Sequence, residues 1–560
     1  MGKMDLHDRS PLDSEPQDGT RRVAYVLFAL AGILALGLAW LPVEVTIGTF
    51  LYEDMFYYLT LAEHAVGGQG VSFDGTTATN GLHPLWMLLC VALASHLEGM
   101  ALVHAVLTVA ALLHVAQGWL LWDLLRRHTS PAIALAIAGF WLFSYRVLAS
   151  NLCGLETPLA TLAVLVVLRL LLDGSARGQL GSGVALGLSL GFAVLSRFDL
   201  LLLASVVLVW VAWDRRLGRL AARRVATSLG AAAIAGLVLV PWFVWSLGQS
   251  GVLLPNSHVA VDLMHDVHYD WRDPAAALSV LSQQLLNGAW WATQTANLLG
   301  VWPLPMPRTP PSAPAYWMGV SLLFLLMLSA LPVGLVYGRH QPASRLALPA
   351  LGFASLHTAW YVLFIEPEVR YLMPALAAAF VGAGLVVHAV LQTNRARWLR
   401  VALAGAFAGL FLSASVGGVL AWRAGYGTTF THRNHLLLLE AARHLRRNTP
   451  PGTTVGAWNS GILGYFSGRT VVNLDGVVND DAVDALREKR LLAYIRERRI
   501  DVLVDLPHQV EAFLSRFGGV ADWQLQLEPL GTPFEDASGR RVIALRVLPL
   551  VRDEAQPPTR

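Results

Sequence analysis

Apolar runs recur along this chain from residue 23 to about residue 421, separated by short polar stretches. A helix needs about 20 consecutive apolar residues to cross the hydrocarbon core of a bilayer. By that measure the pattern predicts membrane helices over 23–42, 82–95, 101–124, 133–148, 158–172, 183–195, 200–213, 226–245, 315–336, 346–364, 372–391 and 401–420. Several runs fall short of the required length, so hydropathy marks their order better than their ends. Residues 283–299 read as an additional helix, whose glutamines and asparagines favour a surface position. Beyond residue 421 the period changes. Residues 451–458 read as a turn into a strand, 469–474 and 501–505 as further short strands, and 541–548 as another. An amphipathic helix over 481–498 separates them. The expectation is a polytopic α-helical membrane domain over 23–421 and a small extracytoplasmic α/β domain over 422–550.

Charge sorts the loops between the apolar runs. Arg126 and Arg127, Arg177, the stretch 215–224, Arg339 and Arg345, and the stretch 395–400 alternate with loops at 151–156, 196–199, 255–270 and 366–370. The positive-inside rule assigns the arginine set to the cytoplasm and the other loops, with the C-terminal domain, to the outer face. Placing the first loop (43–81) outside and Arg126 inside requires an odd number of crossings between them. One of the runs at 82–95 and 101–124 therefore does not span, which gives about 11 crossings. Residues 1–22 are polar, carry two prolines and read as a disordered cytoplasmic tail before a retained anchor. Residues 551–560, with Pro557 and Pro558, read as a second disordered tail.

Composition agrees with a membrane protein. Of 560 residues, 55% are hydrophobic and only 14% charged, where a soluble chain carries about 25%; mean hydropathy is +0.51. The 19 tryptophans suit interfacial belts. A net charge of +3 spread over loop arginines, with no interleaved aromatics, argues against nucleic acid as a partner. Cys90 and Cys153 lie in or near apolar runs and have neither disulfide nor zinc-site spacing. No G-x-x-x-x-G-K-[ST] loop occurs, so a nucleotide-driven reaction finds no support.

Candidate chemistry gathers in the loops assigned to the outer face. Glu53 and Asp54 adjoin the first apolar region, where acids are costly unless hydrated or partnered. Asp54 suits a general base and Glu53 a group that orients it or helps hold a cation; a hydrated helix cap explains both equally. Tyr57 and Tyr58 suit an aromatic platform on an interfacial helix. Asn80, His83 and Trp86 lie in T-N-G-L-H-P-L-W; Pro84 fits a first helical turn, and His83 reads either as a ligand group or as a helix-start residue. Glu156 reads as a cap or as a substrate or cation ligand. Arg197 and Asp199, in S-R-F-D, pair with one another or serve the site. Asn256 and His258 open a segment with Asp262, His265, Asp266, His268 and Asp270. Its spacing matches no closed zinc motif, so a polar loop over the site is the preferred reading. Arg370 suits a phosphate clamp, with pairing to Glu366 or Glu368 as the alternative.

These motifs together resemble the bacterial GT-C superfamily of polytopic glycosyltransferases that use polyprenyl-phosphate-linked sugars. The resemblance is carried by Glu53-Asp54, Tyr57 to Ala62, G-x-G-x-S-F-D ending at Asp74, T-N-G-L-H-P-L-W, S-R-F-D, L-P-N-S at Leu254 to Ser257, and E-V-R-Y-L-M-P from Glu368 to Pro374. The first loop is also similar to that of mycobacterial-type terminal arabinofuranosyltransferases, although Glu53 stands where an aspartate is expected. The resemblance implies an inverting transferase in the cytoplasmic membrane, with Asp54 as catalytic base and Arg370 at the donor phosphate. It further implies His258 and Arg197 as auxiliary phosphate groups. Tyr57, Tyr58, Asn80, His83, Trp86, Glu156, Asp199, Asn256 and Glu368 would then face substrate. The implied partners are a polyprenyl-phosphate sugar, a cell-envelope glycan or glycolipid acceptor and membrane lipids, with room for a divalent cation. Arabinofuranose, mannose and other hexoses remain open as the sugar. A transporter would spread polar residues through mid-membrane helices, and a scaffold protein would use only the external domain. W-N-S-G at Trp458 to Gly461 and N-L-D-G at Asn473 to Gly476 read as carbohydrate-facing turns or as plain tight turns.

Overall fold

A computed structural model describes residues 18–176, 183–213, 221–268, 347–364, 369–393, 431–520, 522–536 and 539–548. The expected helices at 283–299, 315–336 and 401–420 lie outside the described residues, as do both tails, Arg177, Arg339, Arg345, the stretch 395–400, Glu366 and Glu368.

Two long helices set the axis of the molecule. Asp18–Ala39 and Gly99–Arg126 run antiparallel. His104 Nδ1 lies 2.9 Å from the Ala39 carbonyl at one end, and Phe28 meets the Trp122 ring at the other. Arg21 and Arg22 therefore share an end with Arg126 and Arg127. At that end Asp123 accepts from Arg126 at 2.5 Å and Arg127 at 2.9 Å, and Arg169 of helix Thr157–Ala176 approaches it to 3.4 Å. The opposite end of Gly99–Arg126 meets the first loop, where the Gly99 amide donates to Glu63 Oε1 at 3.1 Å. Tyr465 of the C-terminal domain donates to the Gly99 carbonyl at 2.7 Å. A helix of 28 residues is about 42 Å long, enough to separate two membrane faces. The arginine-bearing face is cytoplasmic by the positive-inside rule, and the first loop and C-terminal domain share the other.

The expected count of about 11 crossings is overturned. Among the described residues five helices are long and apolar enough to span: Gly19–Ala39, Gly99–Arg126, Thr157–Gly174, Ala221–Ser250 and Val369–Gln392. A sixth results if the bent pair Pro131–Phe143 and Tyr145–Asn151 counts as one. Apolar runs also mark helices that are too short to span. Pro84–Ala94 has 11 residues and Gly183–Ser196 has 14, too few for the hydrocarbon core. In the latter, Gly187 and Gly191 let the backbone close on helix Ala221–Ser250, where an added Cβ would strike Ile234 or Val238. The run at 133–148 breaks at Ser144 with a 60° bend. The break frees the Leu142 carbonyl, which His114 Nε2 meets at 3.1 Å, and in the same buried network Gln117 Nε2 donates to the Pro158 carbonyl of helix Thr157–Ala176 at 2.7 Å.

The C-terminal domain follows its sequence period more closely. Strands β1 (Thr454–Ala457), β2 (Thr470–Asn473), β3 (Val502–Asp505), β4 (Leu527–Pro529), β5 (Phe534–Glu535) and β6 (Arg541–Val547) form a mixed sheet in the order β2-β1-β3-β6-β4, with β5 on β6. β1 pairs parallel with β2 and β3, and β6 is antiparallel to β3. Every residue of β3 is buried, the mark of a strand covered on both faces. The helix expected over 481–498 is two, Asp480–Arg487 and Leu491–Glu497, because Lys489 between them takes a left-handed conformation (φ 54°). The domain sits directly on the first loop. Gly461 is required there, since a Cβ would collide with the Glu53 carbonyl.

Candidate active site

Helix Asp54–Val66 begins at Asp54, and no side chain caps it: Glu53 occupies the cap position without making a capping bond. The next residues, Met55 to Ala62, are buried, whereas the Asp54 side chain is 37% exposed. Arg370 arrives from a short 3-10 turn, Val369–Leu372, that leads into helix Met373–Thr393. Its Nη2 donates to Asp54 Oδ2 at 2.8 Å and to Tyr371 Oη at 2.9 Å. The guanidinium lies 4.3 Å from the Tyr52 ring centroid and 4.7 Å from that of Tyr371. Two aromatic faces thus hold the fork in a fixed plane, an arrangement lysine cannot reproduce.

A second cluster joins the first through Tyr371. Arg197 lies 5.0 Å from the Tyr371 ring, and Tyr371 stacks on Tyr361 at 5.2 Å. Arg197 donates to Asp199 at 3.1 and 3.3 Å and to Tyr361 Oη at 2.7 Å, and it lies 3.4 Å from Glu156. Asp199 also accepts from Tyr361 at 2.6 Å and meets His357 Nε2 at 3.0 Å. Glu156 in turn lies 3.6 Å from His83 Nε2. Burial holds the His83 imidazole below its ordinary pKa against the pull of Glu156, and its Nδ1 is buried without a partner among the described residues. S-R-F-D therefore supplies a mutual pair, and that pair is wired to the Arg370 site. Sequence reasoning missed His357 and Tyr361. The signal was present: two polar groups one helical turn apart in an otherwise apolar run.

The C-terminal domain roofs this site with the C-terminal ends of its parallel strands. Tyr57 Oη lies 3.3 Å from both Glu53 Oε1 and the Trp458 carbonyl, and Phe56 packs on Tyr465 and Phe466. Tyr58 Oη accepts from the His83 amide at 2.8 Å. The aromatic segment expected as an open platform is instead the seat of the domain. Asp475 and Asp505 come down on the same place. Asp505 is fully buried and accepts from the Trp458 and Asn459 amides, each at 2.8 Å. Burial pushes the Asp475 carboxyl up to about 7, with Asp54 and Asp505 adding to the shift. Burial, then Asp54, Asp505 and Asp475 in turn, hold Glu53 well above the usual carboxylate range, and its Oε2 has no partner among the described residues. Burial and these neighbouring acids therefore disfavour the charged form of Glu53.

The remaining sequence candidates divide. Asn80 is fully buried and structural in its contacts: it donates to Ser246 Oγ and the Leu254 carbonyl and accepts from the Asn256 amide at 2.7 Å. Trp86 is buried and donates to the Gly154 carbonyl at 3.2 Å. His258 is exposed on helix Asn256–His268. Glu368 lies outside the described residues. Among the described residues no three His, Cys, Asp or Glu side chains converge as metal ligands.

The described residues form a bundle of membrane helices whose polar loops meet beneath an α/β domain, and comparison with known proteins shows what this fold is similar to. Residues 82–245 match the dolichyl-phosphate-mannose-protein mannosyltransferase family model, and residues 424–544 match a domain of unknown function (DUF8728). The chain shares its fold with solved membrane proteins. It is similar to the apo oligosaccharyltransferase of Archaeoglobus fulgidus (TM-score 0.57, 13% identity, 94% of this chain and 75% of that one). It is likewise similar to apo ArnT of Cupriavidus metallidurans (TM-score 0.52, 14% identity, 94% and 98%). ArnT bound to undecaprenyl phosphate matches over the same shares at TM-score 0.50 and 14% identity. No curated protein matches the chain in sequence.

Proposed function

We propose that this protein is an inverting glycosyltransferase that moves a sugar from a polyprenyl-phosphate carrier to a hydroxyl of a cell-envelope glycan or glycolipid, on the outer face of the cytoplasmic membrane. The observation that carries the reading is the Asp54–Arg370 pair: a partly exposed carboxylate 2.8 Å from a guanidinium clamped between tyrosines, under the C-terminal roof. The undecaprenyl phosphate bound by ArnT supports a polyprenyl phosphate as carrier. In the reaction Arg370 exchanges its bond to Asp54 for the donor phosphate, whose oxygens its planar fork matches. The released Asp54 carboxylate takes the proton of the acceptor hydroxyl. That oxygen bonds to the anomeric carbon as the carbon–oxygen bond to phosphate breaks on the opposite side, and the lipid phosphate leaves against Arg370. Arg197, engaged with Asp199 and Glu156, positions Tyr371 and through it Arg370. Glu53, buried among acids that disfavour its charged form, leaves Asp54 as the more exposed carboxylate.

The first-loop motifs favour arabinofuranose as the sugar, and the mannosyltransferase model over 82–245 favours mannose as a second reading. The test is transfer by the purified full-length protein in nanodiscs from synthetic polyprenyl-phosphate mannose, glucose, galactose, aminoarabinose and arabinofuranose. Transfer from one donor that disappears in a folded Asp54→Asn variant supports the proposal. Undiminished transfer by that variant removes Asp54 as the base.

A further inference from the structure

We propose that His435, on the helix Thr431–Asn448 that leads into the C-terminal domain, is a positioning residue: it fixes the peptide that sets the Tyr52 ring against Arg370, and so aims the guanidinium at a lipid-borne phosphate. The inference rests on the glycosyltransferase reading and adds to that site a side chain from the C-terminal part of the chain.

Helix Thr431–Asn448 is amphipathic. Leu437, Leu438 and Leu445 are buried, Glu440, Arg443 and Arg447 are exposed, and His435 falls with the buried set at 2% exposure. The helix runs beside the segment that enters the first loop. Arg443 pairs at 2.5 Å with Glu44 of the short helix Val43–Ile47, and Leu436 packs against Gly48, where an added Cβ would come within 3.1 Å of it. His435 meets the same segment at Leu51 and hydrogen-bonds its backbone. The Leu51 amide already donates to the Thr46 carbonyl at 3.0 Å, so the imidazole N–H donates to the Leu51 carbonyl.

The Leu51 carbonyl and the Tyr52 amide are two ends of one planar unit. That amide donates to the Cys153 carbonyl at 3.3 Å. His435 and Cys153 thus hold the plane from both ends, and with it the point from which the Tyr52 ring departs. The ring then lies 4.3 Å from the Arg370 guanidinium. Tyr371, the other ring on Arg370, is its chain neighbour and moves with it. Tyr52 comes from the first loop, and the Met55 amide donates to its carbonyl at 3.2 Å, so Tyr52 and Asp54 share one turn. Tyr52 is therefore the ring that sets Arg370 relative to Asp54. Burial, and the Arg370 guanidinium as well, hold the His435 imidazole down at about 4 against the pull of the Leu51 bond. The residue fixes the peptide without placing a second positive charge beside Arg370.

The test uses full-length protein in nanodiscs and two readouts: initial rates with polyprenyl-phosphate arabinofuranose and mannose, and binding of undecaprenyl phosphate itself. His435→Met and His435→Gln have similar shapes, and only the second keeps a donor. The expected result for His435→Met is a fall of about tenfold in kcat, with acceptor KM unchanged and weaker phosphate binding. His435→Gln should restore most of both. Combined with Tyr52→Leu, His435→Met should cost nothing further, because it acts through that ring. Should His435→Met fail to fold, His435→Ala with and without added imidazole takes its place. Additive losses in the double variant, no rescue by glutamine or imidazole, or unchanged kcat and phosphate binding without the donor overturn the inference. If the wild type transfers from neither donor, the enzyme reading falls, and phosphate binding in the same variants still decides the role of His435.

Discussion

The two ends of the helix bundle each carry a carboxylate held by arginine, and they are built to opposite ends. At the cytoplasmic end Asp123 is 5% exposed and faces Arg126, Arg127 and Arg169 together. Its oxygens are saturated, and the cluster ties helix Gly99–Arg126 to Thr157–Ala176. At the outer end Asp54 is 37% exposed and meets Arg370 through a 2.8 Å bond, with the guanidinium lying against the Tyr52 and Tyr371 rings. The same ion-pair chemistry makes a staple where the carboxylate is surrounded and an exchangeable contact where it stays half in water. Exposure of the carboxylate separates the two, not charge.

The sharpest way to break this comparison is to neutralise both carboxylates. Asp54→Asn should lower transfer by about 10²–10⁴-fold, the usual contribution of a general base, with little change in thermal stability. Asp123→Asn should leave specific activity intact. It should cost about 3 kcal/mol of stability, the low end for a broken buried pair because Arg127 is 44% exposed. Scanning fluorimetry beside an initial-rate assay checks both, and a swap of the two phenotypes would refute the distinction. Next in size is Arg370→Lys. It keeps the charge but loses the planar fork between Tyr52 and Tyr371. We expect transfer to fall on the order of 10²-fold, mostly in kcat, because the leaving phosphate loses a preorganised donor. A change confined to donor KM would assign Arg370 to ground-state binding only.

Parts of this arrangement were legible in the sequence. Glu53-Asp54 stood out because adjacent acids at an apolar boundary are costly, and Arg370 because it precedes Met373-Pro374 at the start of an apolar run. Their meeting was not legible, since 316 residues separate them and a lone arginine beside Glu366 and Glu368 suggests a local pair. The crossing count failed for a related reason. Hydropathy reports what is buried, not where a helix stops, and the stops at His83-Pro84 and Ser144 depend on backbone partners supplied from elsewhere. The C-terminal strands were readable because period 2 is a local property. The role of Tyr57 was not: it becomes a seat for the domain only because Trp458 and Ser460 are delivered to it.

That seat can be tested by itself. Gly461→Val puts a side chain where the Glu53 carbonyl lies. Overpacking of this kind costs about 1–3 kcal/mol. It should lift the C-terminal domain off the first loop, visible as faster amide exchange over 54–66 and 458–464, and lower transfer with Asp54 and Arg370 both unchanged in sequence. Normal exchange with lost activity would mean that the roof acts otherwise than by seating the loop.

The smallest effect concerns the acids beneath the roof. Folding raises the Asp475 carboxyl to about 7, so between its unfolded pKa of about 4 and that value the native state holds a proton that the unfolded chain has released. Stability from this group is therefore complete below about pH 4 and is lost as pH rises through 7. Glu53 and Asp505, both raised, carry the same sign. Asp475→Asn should flatten the fall in Tm between pH 4 and 8, by at most about 1.4 kcal/mol per pH unit since one proton is involved. The Asp123 end offers the contrast, because Asp123→Asn should leave that slope as it is. An unaltered slope in Asp475→Asn would mean that Asp475 is ionised beside Asp54, and the outer face would then carry more than one negative charge for Arg370 to balance.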